Sequence, residues 1–231
     1  NIGDASMGCG PVWEGISFAT MDQFRTLWEG DHQGGLPILF NFMNNQYGMG
    51  GQTQGETMGY GILARVGAGV NPEMMHAERV DGYNPLAVID AFRRKKKILE
   101  EKKGPVLLDT LTYRFSGHSP SDASSYRTRE ELEAWESCDS LCDFSNELKK
   151  NKLADESELE QIREQATELV TRAMKLATDD QVSPRMDMVH QPDQIGEMMF
   201  SNGNEDSLGE GKPDVRIPME GNTRVEALRK K

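Results

Sequence analysis

The chain has 231 residues, a net charge of −12 and a pI near 4.9, which argues against nucleic acid as its main partner, because phosphate backbones are bound by surplus Lys and Arg. No run approaches the roughly 18 apolar residues of a membrane span, and no signal sequence opens the chain. We therefore expect no membrane partner and a soluble, intracellular protein. Its three cysteines lack a disulfide framework and are predicted to be reduced thiols.

The first residues are typical of the end of a buried strand. Because Asn1-Ile2 begins so abruptly, we expect an N-terminally truncated chain, a piece of a longer protein. Gly3-Asp4-Ala5 follow, and a turn rich in Gly precedes an amphipathic stretch from Val12 to Trp28. This stretch is predicted to be helical, with its first amides directed at a phosphate.

A second polar group follows a short apolar run. Leu36–Met43 is predicted to be a buried strand, and Asn44-Asn45 lie at its carboxyl end. Open α/β sheets bind ligands at that edge. Asp4, Asn45 and Tyr47 can supply a carboxylate, an amide oxygen and a backbone carbonyl, which are ligands that Mg²⁺ accepts beside phosphate oxygens. The alternative is an Asp in a loop and an Asn pair in an ordinary turn.

Strands and helices alternate in the middle of the chain. The patterns predict a short helix at Tyr60–Gly69, a strand at His76–Val80, a helix at Pro85–Lys103 and a strand at Pro105–Thr112. The loop that follows contains His118. A lone His is more often structural than catalytic, but Gly117, several serines and nearby arginines favour a role beside an anion. The arginines are Arg114, Arg127 and Arg129.

The last third is helical and acidic before it becomes polar. Arg129–Lys150 is predicted to be helical, and Asp155 with Glu158 forms a capping box for a further helix that Ser183-Pro184 would end. That helix has an apolar stripe with three-and-four spacing, for which packing against its own domain is favoured over a coiled coil. We predict an α/β domain with C-terminal helices over residues 1–182, and a polar linker over 183–231.

Two sets of residues carry a resemblance to a known family. The pair Gly-Asp and Asn-Asn is similar to the thiamine diphosphate motif, and Asn44–Gly50 and Tyr113–Glu131 resemble the alpha subunit of 2-oxo acid dehydrogenases. The resemblance covers residues 1 to about 147. It implies a three-layer α/β/α fold with a mostly parallel sheet that binds thiamine diphosphate and Mg²⁺. The chain departs from the family by Ala5 in place of Gly and by a longer gap before Asn45, which we assign to Met21–Gly35.

The resemblance also implies roles for particular residues. His118 is the catalytic candidate, as a hydrogen-bond donor or proton-handling group. The predicted cofactor-binding residues are Gly3, Asp4, Ala5, Ser6, Asn45, Tyr47 and His118, of which Asp4, Asn45 and Tyr47 are the predicted metal ligands. Ser119 matches a regulatory phosphorylation site in some relatives, although a loop-stabilising hydroxyl is the favoured interpretation.

The function implied is oxidative decarboxylation of a 2-oxo acid, with pyruvate favoured, and delivery of the acyl group to a lipoyl-bearing acyltransferase. A beta subunit, or a beta half of the same chain, would complete the site as a dimer of alpha-beta units, so this chain alone should be inactive. The expected location is the cytoplasm, or the mitochondrial matrix in a eukaryote. The alternatives are a transketolase-like or acetoin-cleaving thiamine enzyme, and a non-catalytic assembly module that has lost cofactor binding.

Overall fold

A parallel sheet of four short strands forms the centre of the fold. The computed structural model describes residues 1–187 and 189–193. Its strands are β1 (Ile2–Gly3), β2 (Leu39–Asn44), β3 (His76–Asp81) and β4 (Val106–Leu111). Their order across the sheet is β1-β2-β4-β3, and every neighbouring pair is parallel. The last three strands lie where the apolar runs predicted them.

The register of the sheet brings the strand ends to one edge. Gly3 lies opposite Met43, and both Asn44 and Asp81 lie opposite Leu111. Because all strands run the same way, the segments that follow them leave the sheet at the same level. Asp4 and Asn44, the residues that follow Gly3 and Met43, therefore lie next to each other at this edge.

Helices cover both faces of the sheet. The described helices are α1 (Gly10–Ala19), α2 (Gln23–Thr26), α3 (Leu63–Val70), α4 (Pro85–Glu100), α5 (Arg129–Glu136), α6 (Ser140–Lys150) and α7 (Glu156–Thr178). Of these, α1 and α3 pack on one face of the sheet and α4 packs on the other. Side chains of β4 alternate between two cores. Leu107 packs in the core that contains Ile16 of α1 and Leu63 of α3, whereas Leu108 packs in the core that contains Ala91 of α4. The predicted α/β fold with helices on both sides of a parallel sheet is confirmed.

The predicted helical stretch from Val12 to Trp28 is not continuous. Helix α1 ends at Ala19, and only the single turn α2 follows it. Thr20 accounts for the break, because its hydroxyl donates to the Ile16 and Ser17 carbonyls at the end of α1. Its own carbonyl accepts a hydrogen bond from the Asn71 side chain. These bonds satisfy carbonyl groups that a longer helix would have used.

The C-terminal helices differ from their predicted limits. The helical region Arg129–Lys150 is divided into α5 and α6, because the Asp139 side chain accepts a hydrogen bond from the Leu141 amide and caps a new helix. The capping box of Asp155 and Glu158 is confirmed. However, α7 ends at Thr178, before the predicted stop, and none of its residues is buried. The packing predicted for its apolar stripe is wrong for the described part of the chain.

The described residues form two compact units. One comprises Asn1–Asn146, and the other begins at Glu147. The division into a domain over 1–182 and a linker over 183–231 stays a prediction, since most of the linker lies outside the described residues. No helix in the described part of the chain is long and apolar enough to cross a membrane.

Candidate functional site

Asp4 is a buried carboxylate at the edge where the strands end. It opens the 3-10 turn Asp4–Gly8 and is 1% exposed. The Thr53 hydroxyl donates to its Oδ2 atom at 2.6 Å. Burial raises the pKa of Asp4, although Thr53 and the nearby backbone of Asn45 and Gln46 oppose the rise. Among the described residues, no Lys, Arg or His forms an ion pair with this carboxylate.

The turn after β2 lies against Asp4. The Tyr47 amide donates to Asn45 Oδ1 at 3.0 Å, and Gln46 has a φ of 64°. The Thr53 amide donates to the Gln46 carbonyl at 2.9 Å while its hydroxyl contacts Asp4. Thr53 thus connects the turn to the carboxylate. None of the hydrogen bonds described for residues 1–187 uses the Tyr47 carbonyl.

The neighbours of Asp4 occupy the same corner. Gly3 ends β1, and Ala5 and Ser6 are half-buried in the 3-10 turn. A Cβ atom placed on Gly48 would lie 3.3 Å from the Ala5 methyl. Ala5 therefore packs against the Gly48 backbone, and a side chain at position 48 would crowd it.

His118 is exposed, and Arg114 connects its loop to the turn. Arg114 Nη1 lies 3.2 Å from His118 Nδ1, and Nη2 donates to the Gly48 carbonyl at 3.2 Å. A guanidinium can only donate, so this contact requires an unprotonated Nδ1. The remaining nitrogen, Nε2, then carries the proton and can act as a donor.

Asp122 holds the backbone of the His118 loop. Its carboxylate accepts hydrogen bonds from the His118 amide at 2.7 Å, the Ser124 amide at 2.8 Å and the Tyr126 hydroxyl at 2.7 Å. The His118 amide contributes most to lowering the pKa of Asp122 to about 2, followed by Tyr126. Within the same loop, the Ser119 hydroxyl lies 3.1 Å from another serine hydroxyl.

Arg127 closes the loop through hydrogen bonds to residues of the loop itself. It is 8% exposed, and its guanidinium donates to the Arg114 and Ser116 carbonyls and to the Ser124 hydroxyl. Three tyrosine rings surround the guanidinium at 5.5–5.6 Å. They belong to Tyr47, Tyr113 and Tyr126. Arg129 pairs with Glu133 on the surface.

A cavity of about 370 Å³ lies beside the turn. The hydroxyls of Tyr47 and Tyr113 both donate to Glu131 Oε1, at 2.6 and 2.9 Å. Burial, followed by Glu131, raises the pKa of Tyr47 to about 12. Trp135 stacks on Tyr113 with a centroid distance of 4.8 Å. Glu131 lies in the Tyr113–Glu131 segment that carries the resemblance, but its contact with Tyr47, 84 residues away in the chain, has no local signal in the sequence.

The segments that carry the three predicted metal ligands lie at one corner of the fold. Asp4 is linked through Thr53 to the turn of Asn45 and Tyr47, and His118 is linked to that turn through Arg114. The part of the chain that is described contains no cluster of three or more His, Cys, Asp or Glu side chains suited to a metal. A metal ion here would need the mixed set of one carboxylate, one amide oxygen and one carbonyl.

Comparison with known proteins identifies relatives over most of the chain. The family model described as "Dehydrogenase E1 component" matches residues 1–185. A probable pyruvate dehydrogenase E1 component subunit alpha from Caenorhabditis elegans, named mitochondrial, is 33% identical over 79% of this chain and 42% of its own length. The somatic-form alpha subunit from Homo sapiens, also named mitochondrial, is 30% identical over 79% and 43%. The alpha subunit from Rickettsia felis is 28% identical over 76% and 49%. The chain thus spans less than half the length of these relatives.

Proposed function

Since the chain belongs to the dehydrogenase E1 component family, we propose that it is the diphosphate-binding portion of a thiamine diphosphate-dependent oxidative decarboxylase. The substrate is a 2-oxo acid, with pyruvate favoured because the relatives named above are pyruvate dehydrogenase E1 alpha subunits. The observation that carries the proposal is the Thr53 bridge, which joins buried Asp4 to the turn of Asn45 and Tyr47.

The chemistry of this corner fits a magnesium ion. Asp4 has lost most of its solvent and has no cationic side chain as a partner among the described residues, so a divalent cation would offset the cost of its charge. Asn45 Oδ1 accepts one hydrogen bond and retains a second lone pair. With the Tyr47 carbonyl, these atoms would supply three oxygen ligands to Mg²⁺, a cation that binds oxygen donors and retains phosphate oxygens and water.

The remaining predicted contacts surround the same corner. We propose that Gly3, Ala5 and Ser6 approach the diphosphate, with the Ala5 methyl kept to one side by Gly48. Thiamine diphosphate, when bound, supplies the electron sink for the loss of carbon dioxide from a 2-oxo acid. His118 would donate a hydrogen bond from Nε2 to the substrate or the diphosphate, because Arg114 occupies its Nδ1.

Several partners follow from the proposed reaction. A beta subunit, or a beta half of the same protein, would supply the acid that ionises the cofactor, so this chain alone would be inactive. The assembly would be a dimer of alpha-beta units, and a lipoyl-bearing acyltransferase would receive the acyl group. The names of the worm and human relatives favour the mitochondrial matrix over the cytoplasm for a eukaryotic source.

The test is calorimetric titration with thiamine diphosphate, with and without Mg²⁺, of the full-length protein together with its beta partner. Asp4→Ala and Asn45→Ala should each abolish most of the magnesium-dependent binding and leave the fold intact. Glu14→Ala is the matched control, because Glu14 is an exposed acid on α1. Absence of magnesium-dependent heat in the wild type would reject the proposal and favour the assembly module.

Turnover separates the enzymatic alternatives. Decarboxylation of pyruvate, but not of branched 2-oxo acids, would identify the substrate, and activity only on sugar phosphates or acetoin would favour a transketolase-like or acetoin-cleaving enzyme. His118→Ala should reduce turnover more than cofactor affinity. Equal losses in both would assign His118 to cofactor anchoring instead.

A further inference from the structure

A second buried carboxylate lies behind the candidate site, in the middle of the sheet. Asp109 of β4 has no exposed surface. Its Oδ2 atom accepts hydrogen bonds from Arg79 Nε at 2.7 Å and from the Leu63 amide at 2.9 Å. Its Oδ1 atom accepts one from Asn44 Nδ2 at 2.7 Å. A charge at this depth requires such partners, because burial of an unpaired carboxylate is very costly.

The two oxygens of Asp109 have different tasks. Oδ2 is compensated by the Arg79 guanidinium and by the amide end of α3, where the helix dipole is positive. This half of the network would satisfy the charge and stabilise the sheet on its own. Oδ1 is directed at Asn44, the last residue of β2 and the neighbour of proposed ligand Asn45.

The Asn44 contact fixes the point where the turn begins. Only the nitrogen of the amide can donate to a carboxylate, so Asp109 determines which way the Asn44 side chain is oriented. The Asn44 backbone is held as well, because its carbonyl accepts a hydrogen bond from Thr112 at 2.9 Å. Asn44 is 1% exposed, and its Oδ1 atom has no partner within the described residues. The orientation set by Asp109 is therefore kept even though it leaves the Asn44 Oδ1 atom without a hydrogen bond.

We propose that Asp109 is a positioning residue for the metal-diphosphate site. Through Asn44 it holds the turn of Asn45–Gly48 in place, and through Arg79 and α3 it anchors that turn to the sheet. The role of Asp109 in ligand binding rests on the proposed function. Its role in ordering the turn is a property of the unliganded chain and does not depend on that function.

Amide hydrogen exchange of the unliganded full chain tests the inference directly. Asn44→Ala removes the contact with Oδ1 and leaves the Arg79 pair, so the Tyr47 and Thr53 amides should exchange at least about tenfold faster. Amides of β4 should keep their protection. Leu108→Ala is the matched control, because it creates a cavity next to Asp109 on the other face of the same strand. Equal exchange of the turn amides in Asn44→Ala and the wild type would overturn the proposal.

Cofactor affinity provides a second readout in the assembled protein. Asp109→Asn and Asn44→Ala should each raise the dissociation constant for thiamine diphosphate with Mg²⁺ by roughly 10–100-fold, as observed for residues that orient metal ligands. The double variant should bind thiamine diphosphate no more weakly than the weaker-binding single variant.

The two readouts distinguish the two proposals. An equal loss of affinity in Leu108→Ala would reduce Asp109 to a structural residue and overturn the positioning role. If Asp109→Asn does not fold, Asn44→Ala decides the outcome, since it keeps the buried ion pair. If the wild type binds no cofactor, the proposed function fails, and the exchange experiment still decides whether Asp109 orders the turn.

Discussion

Replacing Arg127 by Met removes the hydrogen bonds that hold the loop around His118 together, but keeps a long side chain in the same place. The guanidinium makes three hydrogen bonds, two to backbone carbonyls and one to a hydroxyl, inside a ring of three tyrosines. A hydrogen bond from a charged group contributes about 1.5–3 kcal/mol and a desolvated cation–π contact up to about 2 kcal/mol. Because these contributions are not additive, we expect the loop to lose about 3–5 kcal/mol of stability.

The loss should be local, since Arg127 bonds to residues of its own loop. Amide exchange should therefore show faster opening of residues 114–126 with little change in β4, and near-ultraviolet circular dichroism should report the altered tyrosine environment. Arg129→Met is the matched control. Its side chain is 87% exposed and pairs only with Glu133 within the described chain, so its effect should stay within about 0.5 kcal/mol.

Two results would refute this reasoning. If Arg127→Met and Arg129→Met opened the loop equally, the buried hydrogen bonds would contribute nothing specific. If Arg127→Lys, which keeps the charge but not the planar fork, restored full protection, the hydrogen-bond geometry would be irrelevant.

Three further predictions concern separate parts of the chain. Burial raises the pKa of Asp4 above 3.8, so without Mg²⁺ the chain should lose stability as the pH rises from 3.8 through the raised pKa, and Asp4→Asn should remove that loss. Urea unfolding in EDTA measures this pH-dependent loss of stability, and parallel pH profiles for the wild type and Asp4→Asn would contradict the prediction. A Cβ atom on Gly82 would lie 2.2 Å from the Leu111 carbonyl oxygen, so Gly82→Ala should lower the free energy of unfolding by about 1–3 kcal/mol. A Cβ atom on Gly69 would meet no neighbour, so Gly69→Ala should not lower the melting temperature comparably. Asp155→Ala should cost α7 about 1 kcal/mol, and unchanged helicity by circular dichroism would exclude a role for the capping box.

The elements of the fold were largely accessible from local patterns. The runs at β2, β3 and β4 are apolar and short, as buried parallel strands require. Asp155 and Glu158 marked the start of α7 because a capping box is built entirely from neighbours in the sequence. The helix breaks at Thr20 and Asp139 were missed although both involve local capping bonds. The end of α1 also depends on Asn71, which is far away in the chain.

The candidate site divides in the same way. Asp4, Asn45 and Tyr47 could be chosen from residue type and from their position after strands, and the parallel register of β1 and β2 brings the segments that carry them to one edge. The roles of Thr53 and Asp109 could not be predicted, because no sequence pattern distinguishes them from any other Thr in a loop or Asp in a strand. Their contacts join residues 49 and 65 positions apart.

The sequence by itself determined the order of strands and helices, the family and the side chains available to a metal and a diphosphate. These properties depend on local propensity and on short words such as Asn44–Gly50. Only the tertiary structure decided that Arg127 serves its own loop, that α7 leaves its apolar stripe exposed, and that Asp109 lies behind the site. The physical reason is that burial and charge compensation are set by which remote groups pack together, and a linear pattern does not specify those neighbours.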